Sequence, residues 1–272
     1  MTDYAEFASI ERRGWTSADT IDAYINHFGP ITRAAIPHLI AASGASPGAR
    51  VLDLCCGQGD LTAALVATGA EVTGLDFSPD LLARAGRAAP GATFVEGDAQ
   101  AMPFQDGEFD AVLCNQGLCH VPDQPRALAE IARVLGPGGR AALTCWVAPG
   151  DNPAFGTIFA ALKEHADLSA RPPQPDFFLY SDPDQARDAL AQAGLTLSGH
   201  RVIEAEWLLD SPDELYRIFS TATVSMSILL RLQYPDRLDR IRDLMRCTVK
   251  ERFAAAGRYR VPVRMALAVA GA

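Results

Sequence analysis

Between residues 50 and 146, short apolar runs alternate with segments of helical spacing. RVLDLCC (50–56) is an apolar run that meets Gly57 and Gly59, as a buried strand does where it turns into a helix. Helical spacing over 60–68 stops before Gly69, and EVTGLDF (71–77) reads as a second strand. Ser78-Pro79-Asp80 supplies an N-cap, a first-turn proline and a first-turn carboxylate for a helix to about Ala88. ATFVEGD (92–98) and FDAVLCN (109–115) are the third and fourth strands. A helix over 125–135, stopped by Gly136-Pro137-Gly138-Gly139, leads to a fifth, RAALTCW (140–146). This alternation predicts βαβ crossovers and a parallel, doubly wound sheet.

Beyond Trp146 the pattern changes. Helical spacing covers 152–166 and 184–193, the latter closed by Gly194, with the proline-rich RPPQPDFF (171–178) between them. LTLSGHRVIEAEW (195–207) and YRVPVRMALAVA (259–270) read as two further strands, and 211–257 is mostly helical. The expected fold is α/β: a mostly parallel, seven-stranded, Rossmann-like sheet with helices on both faces. One domain over 1–272 is expected, with an N-terminal helical cap (1–45) and a sheet core (46–146). The C-terminal half of the sheet takes 147–210 and 258–272, and a helical substrate-side insertion takes 211–257.

The 272 residues are 49% hydrophobic and 21% charged, enough to bury roughly 70–75% of the unfolded surface without metals or disulfides. No stretch reaches the ~18 apolar residues of a membrane helix, and MTDYAEFASIERRGW lacks the apolar core of a secretory signal. A cytoplasmic location without a membrane span is therefore expected. The net charge of −9, with only Lys163 and Lys250 among the lysines, argues against a nucleic-acid partner. The six cysteines form no C-x-x-C pair and no metal-ligand spacing, so buried thiols and no metal are expected.

The chemistry concentrates in VLDLCCGQGDLT (51–62). Its glycines let backbone approach a ligand where a helix N-terminus presents free N–H groups. A dinucleotide fingerprint would need a third glycine where Thr62 stands, and a phosphate loop would need G-K-[ST]. Asp53 in the first strand suits a ligand with a cationic centre and an amino group rather than a pyrophosphate. Asp76, 17 residues after Gly59, is placed to accept from ribose hydroxyls; Asp98, in Gly97-Asp98-Ala99, is placed to accept from an adenine amine. Asn115-Gln116 follows the fourth strand at the same edge, so four strand ends converge on one crevice.

VLDLCCGQGDLT, VTGLDFSPDLLARA, FVEGDAQAMPFQDGEFDAVLCNQGLCHVPD and EIARVLGPGGRAALTCW together resemble, in order and spacing, class I S-adenosylmethionine-dependent methyltransferases. The nearest flavour is that of the ubiquinone/menaquinone-biosynthesis methyltransferases, over roughly residues 12–146. The resemblance implies S-adenosyl-L-methionine as cofactor and S-adenosyl-L-homocysteine as product. It implies that Asp53, Cys55, Gly57 and Gly59 line the methionine and ribose side, that Asp76 holds the ribose, and that Phe77 lies against the adenine. Asp98 and Ala99 would meet the adenine, and Asn115 and Gln116 the methionine. Cys55-Cys56 departs from the commoner small residue and cysteine before the glycines.

The resemblance further implies an in-line methyl transfer (EC 2.1.1.-) to an O, N or C nucleophile of a small acceptor. Apolar helices over 147–257 suggest that the acceptor is apolar or ring-containing. His120 reads either as a histidine packed against the helix beginning near Asp123 or as a general base. Trp15, Tyr24, Phe177, Phe178, Tyr180, Tyr216 and Phe219 are candidate acceptor-pocket residues, with core packing as the other reading. The competing function is a retired S-adenosylmethionine-binding scaffold or partner subunit. Against it, Gly57, Asp76 and Asp98 are all intact. The oligomeric state is left open, a homodimer being one option.

Overall fold

The computed structural model describes residues 4–169 and 171–272; the first three residues of the expected cap lie outside them. The helices are α1 (Ala5–Gly14), α2 (Ala18–His27), α3 (Gly29–Thr32), α4 (Ile36–Ser43), α5 (Asp60–Val66), α6 (Pro79–Ala88), α7 (Gln124–Val134), α8 (Pro153–His165), α9 (Pro183–Gln192), α10 (Glu214–Thr221), α11 (Ser225–Arg231) and α12 (Pro235–Phe253). The strands are β1 (Arg50–Leu54), β2 (Glu71–Asp76), β3 (Thr93–Glu96), β4 (Phe109–Asn115), β5 (Leu135–Trp146), β6 (Thr196–Leu209), β7 (Ala254–Ala255) and β8 (Arg258–Gly271).

Two compact units share the chain. The sheet unit takes 32–146, 175–203 and 265–272; the helical unit takes the rest. In the sheet the strand order is β3-β2-β1-β4-β5-β8-β6. Strands β1 to β5 pair in parallel, and β8 runs antiparallel to β5. The order reverses between β1 and β4, the topological switch at which open α/β sheets bind ligands outside the carboxyl ends of their strands.

The central strands are nearly continuous apolar runs because both faces are covered. Val51, Leu52, Leu54, Val112 and Leu113 are fully buried, as are Ala141 and Ala142. Helices α4, α5 and α6 pack on one another and on β2 to β5, and α7 packs on β5 and α9. The helix starts follow the sequence: Ser78 Oγ accepts from Leu81 N, Asp123 from Arg126 N, and Asp182 from Asp184 N and Gln185 N.

Two features differ from the expected elements. Strand β5 begins at Leu135, so the Gly136–Gly139 run lies within the strand as an irregularity, with a register shift opposite Phe109–Ala111. Gly138 is there at positive φ (72°), and a Cβ on Gly139 would lie 2.8 Å from the Gly136 carbonyl oxygen, so both positions favour glycine. A short extra strand, β7, pairs with β8 through Ala256-Gly257, both at positive φ, the two-residue turn that matches strand twist.

The helical unit is built round an aromatic cluster. Phe28 packs edge-on to Trp207 (ring centroids 5.2 Å apart), and Phe219 meets Phe28, Trp207 and Phe155. Its buried polar groups are bonded: Trp15 Nε1 donates to Glu11 Oε2 (2.8 Å), Ser225 Oγ to Glu11 Oε1 (2.6 Å), and Trp207 Nε1 to the His27 carbonyl (2.7 Å).

Candidate functional site

The site is built from four loops at the carboxyl ends of β1 to β4. After β1 the chain turns through Cys55, Gly57 and Gly59, all at positive φ (57°, 54° and 88°). Gly59 is required by packing, since a Cβ there would lie 2.8 Å from Ala85 Cα on α6. Gly57 is different: a Cβ would meet nothing within 4 Å, so its backbone faces open space.

Asp76 ties this turn to β2. Its Oδ2 accepts from Gly57 N and its Oδ1 from Ser78 N, each at 3.0 Å. Burial raises its pKa, opposed by those backbone bonds and by attraction to His120. Gly97 N donates to the Asp76 carbonyl (3.0 Å), which joins the third loop to the second. Phe77, next along, is half-buried.

Asp53 lies beneath the turn, only 1% exposed, and accepts from Thr62 Oγ1 at 2.5 Å. Thr62 therefore stands where a dinucleotide site has glycine because the buried carboxylate needs a donor there. Burial pushes the Asp53 carboxyl up to about 7 against that bond, with the Asp76 charge pushing the same way. The Cys55 thiol, half-buried, free and hydrogen-bonded with the Cys114 thiol, is held well above its ordinary range by that bond and by burial, which disfavours the thiolate.

Asp98 is half-buried and occupied from its own loop: Gln100 N and Nε2 donate to its Oδ1, each at 2.9 Å. Gln100 Oε1 in turn accepts from Asp123 N, which fastens this loop to the start of α7. Ala99 beside it is buried.

After β4, Asn115 Oδ1 accepts from Thr144 Oγ1 (2.8 Å), and Asn115 Nδ2 donates to the Thr32 carbonyl (3.0 Å). Gln116 has left-handed backbone (φ 62°), and its N–H donates to Thr144 Oγ1 (3.0 Å). Gly117 packs so tightly on Cys55 that a Cβ would fall 2.4 Å from Cys55 Cβ, which locks the β4 loop to the β1 loop. His120 ends a short 3₁₀ turn, half-buried, with Phe177 edge-on at 5.4 Å.

The sequence-predicted cofactor residues thus lie on successive linked loops, with Asp53 buried below them. The predicted acceptor residues divide. Phe177 and Phe178 are half-buried and Tyr180 fully buried in the sheet unit; Trp15, Tyr24, Tyr216 and Phe219 belong to the helical unit. Trp15 meets Tyr24 edge-on at 4.9 Å and Tyr24 stacks on Phe28, so these rings continue the aromatic cluster. Sequence reasoning missed Thr144 and Gln100, which hold the site residues in place, and took Gly117 only as the residue that follows Asn115-Gln116 at the same edge. Among the described residues no group of three His, Cys, Asp or Glu could hold a metal, and no helix is long and apolar enough to cross a membrane.

Residues 52–143 match the family described as "Methyltransferase domain". The chain is 39% identical over 133 residues to an uncharacterized protein of Mycobacterium tuberculosis, covering 47% of each. It is 45% identical over 118 residues to a 2-phytyl-1,4-naphtoquinone methyltransferase from Synechocystis sp., covering 40% of this chain and 50% of that one. The chain spans about half the length of the curated relatives it matches. The YcgJ protein from Bacillus subtilis shares its fold with a TM-score of 0.59 at 20% identity, over 87% of this chain and 97% of that one. Over the matched residues the chain thus resembles methyltransferases, among them ones named for a naphthoquinone and for demethylmenaquinone, as the four motifs implied.

Proposed function

We propose that this chain, which carries a methyltransferase domain on a class I fold, binds S-adenosylmethionine and methylates a small, apolar or ring-containing acceptor. The observation that carries the reading is the Gly57 turn, open on its outer face and bonded to the buried carboxylate of Asp76. A nucleoside with vicinal hydroxyls fits this donor set. Asp76 takes backbone N–H bonds from Gly57, Ser78 and Phe77, and a carboxylate has about four acceptor positions, so it can still accept from a ligand hydroxyl. Gly57 would admit the ligand to the backbone, Asp76 would hold the ribose, Phe77 and Ala99 would flank the base, and Asp98 would accept from the adenine amine. When bound, S-adenosylmethionine supplies a methyl group already activated by the sulfonium charge.

The protein's share of catalysis is then mainly positioning, and well-oriented partners gain roughly 7 kcal/mol or more. His120 would take the proton released by an acceptor hydroxyl. A ring-containing acceptor is supported by the relative named for a naphthoquinone.

Calorimetric titration of the wild type and an Asp76→Asn variant with S-adenosylmethionine and S-adenosylhomocysteine tests this. The wild type is expected to bind both. The variant, which presents an amide where backbone N–H groups need acceptors, should bind at least about tenfold more weakly. A folded wild type that binds neither overturns the proposal.

A further inference from the structure

Gln116 combines two unfavourable features at one position. Its backbone is left-handed, which is rare for a side chain other than Asn, Asp or His. Its side chain is 3% exposed, and neither Oε1 nor Nε2 has a hydrogen-bond partner. An orphaned buried amide destabilises a fold, and an apolar side chain of similar shape would pack there without that penalty. Strain and unmet polarity together mark functional positions more often than structural ones. The conformation is enforced from outside: Gln116 N–H is held by Thr144, its carbonyl accepts from Cys119 Sγ (3.2 Å), and Gly117 is wedged on Cys55.

A second orphan lies on the short turn Leu179–Ser181, which packs on β5, the strand to which Gln116 N–H is bonded. Tyr180 is 1% exposed and its hydroxyl is without a partner. Strand order decides which ligand they face. Asp98, Asp76 and Gly57 follow β3, β2 and β1, whereas Gln116 follows β4 and is bonded across to β5. A nucleoside laid along β3 to β1 leaves the β4–β5 side for the second substrate. The groups offered there are an amide and a phenol. A neutral oxygen suits them, whereas a carboxylate or phosphate would need a paired cation.

We infer that Gln116, with Tyr180 as its second donor, is the specificity residue for the acceptor, hydrogen-bonding a hydroxyl or carbonyl oxygen carried on its ring. This rests on the proposed methyltransferase function and moves Gln116 from the methionine side of the site to the acceptor side. Residues that bond a substrate hydroxyl discriminate strongly against analogues lacking it, because the buried partner is then left unmet.

The test uses the intact protein with S-adenosylhomocysteine bound, under nitrogen, and two probes: 1,4-dihydroxynaphthalene and naphthalene. The wild type is expected to bind the diol at least about tenfold more tightly than the hydrocarbon. Gln116→Leu should erase that preference, leave S-adenosylhomocysteine affinity within about threefold, and raise Tm by roughly 2–4 °C as the orphaned amide is removed. Tyr180→Phe should lower diol affinity several-fold with naphthalene unchanged. If Gln116→Leu fails to fold, Gln116→Asn tolerates the left-handed backbone and shortens the amide, and is expected to reduce the preference. A variant that keeps the preference, one that loses S-adenosylhomocysteine instead, or a wild type that takes neither probe overturns the inference. Failure of the wild type to bind S-adenosylhomocysteine at all, read before any probe is added, overturns the proposed function itself.

Discussion

The loops at the ends of β1 to β4 and the aromatic cluster of the helical unit hold their buried groups by different means. In the loops, carboxylates and amides are held by backbone N–H groups and hydroxyls, at turns where Cys55, Gly57, Gly59 and Gln116 adopt left-handed conformations. In the cluster, Phe28, Phe155, Trp207 and Phe219 meet ring to ring, and each indole N–H nearby has its partner. One region keeps unfavourable groups in place, as a site must; the other removes them, as a core does.

The largest expected effect probes the cluster. Phe219→Ala should destabilise the fold by about 3–5 kcal/mol, the range for truncating a buried aromatic. A thermal melt that moves by less than about 3 °C would show that Phe219 lines a binding surface, as its sequence position also allowed, and would collapse the contrast.

A smaller effect probes the loops through pH. The Asp53 carboxyl titrates at about 7 in the fold, against about 3.9 in an unfolded chain. Below about pH 4 both states hold the proton. Between there and pH 7 the unfolded chain releases it first, so stability falls as pH rises, and above 7 the loss is complete. Asp53→Asn keeps an acceptor for Thr62 and removes the charge. Its Tm relative to wild type should therefore climb between pH 5 and 7.5, by the equivalent of about 2 kcal/mol. A constant gap would mean that Asp53 stays ionised, reached by water.

These two regions were also unequally legible. The glycine turn, the N-cap of Ser78 and the carboxylate that ends β2 are local patterns whose physics is complete within a few residues, so spacing exposed them. Thr62 is instructive: it looked like a failed dinucleotide motif until its bond to Asp53, nine residues away, explained it. Thr144, Gln100 and the aromatic cluster depend on partners that only folding brings together. Thr144 meets Gln116 across 28 residues, and Trp207 meets the His27 carbonyl across 180. An aromatic residue at helical spacing carries the same letter pattern whether it faces a ligand or a neighbour. Trp15 and Phe219 therefore entered as pocket candidates and are buried in the structure.

The smallest change in stability gives the sharpest reading of the site. Gly57→Ala adds a Cβ that meets no atom within 4 Å, so the only structural penalty is a left-handed alanine at φ 54°, about 1 kcal/mol. Tm should fall by roughly 2–4 °C. The same methyl group would stand on the open face of the turn, between the backbone and whatever approaches Asp76. S-adenosylhomocysteine affinity should then drop at least about tenfold, far more than the stability change suggests, because close backbone approach is what this glycine permits. Undiminished binding would place the ligand elsewhere on the sheet edge. The strained turn would then serve only to join β1 to α5, and the loops would be a core like the other.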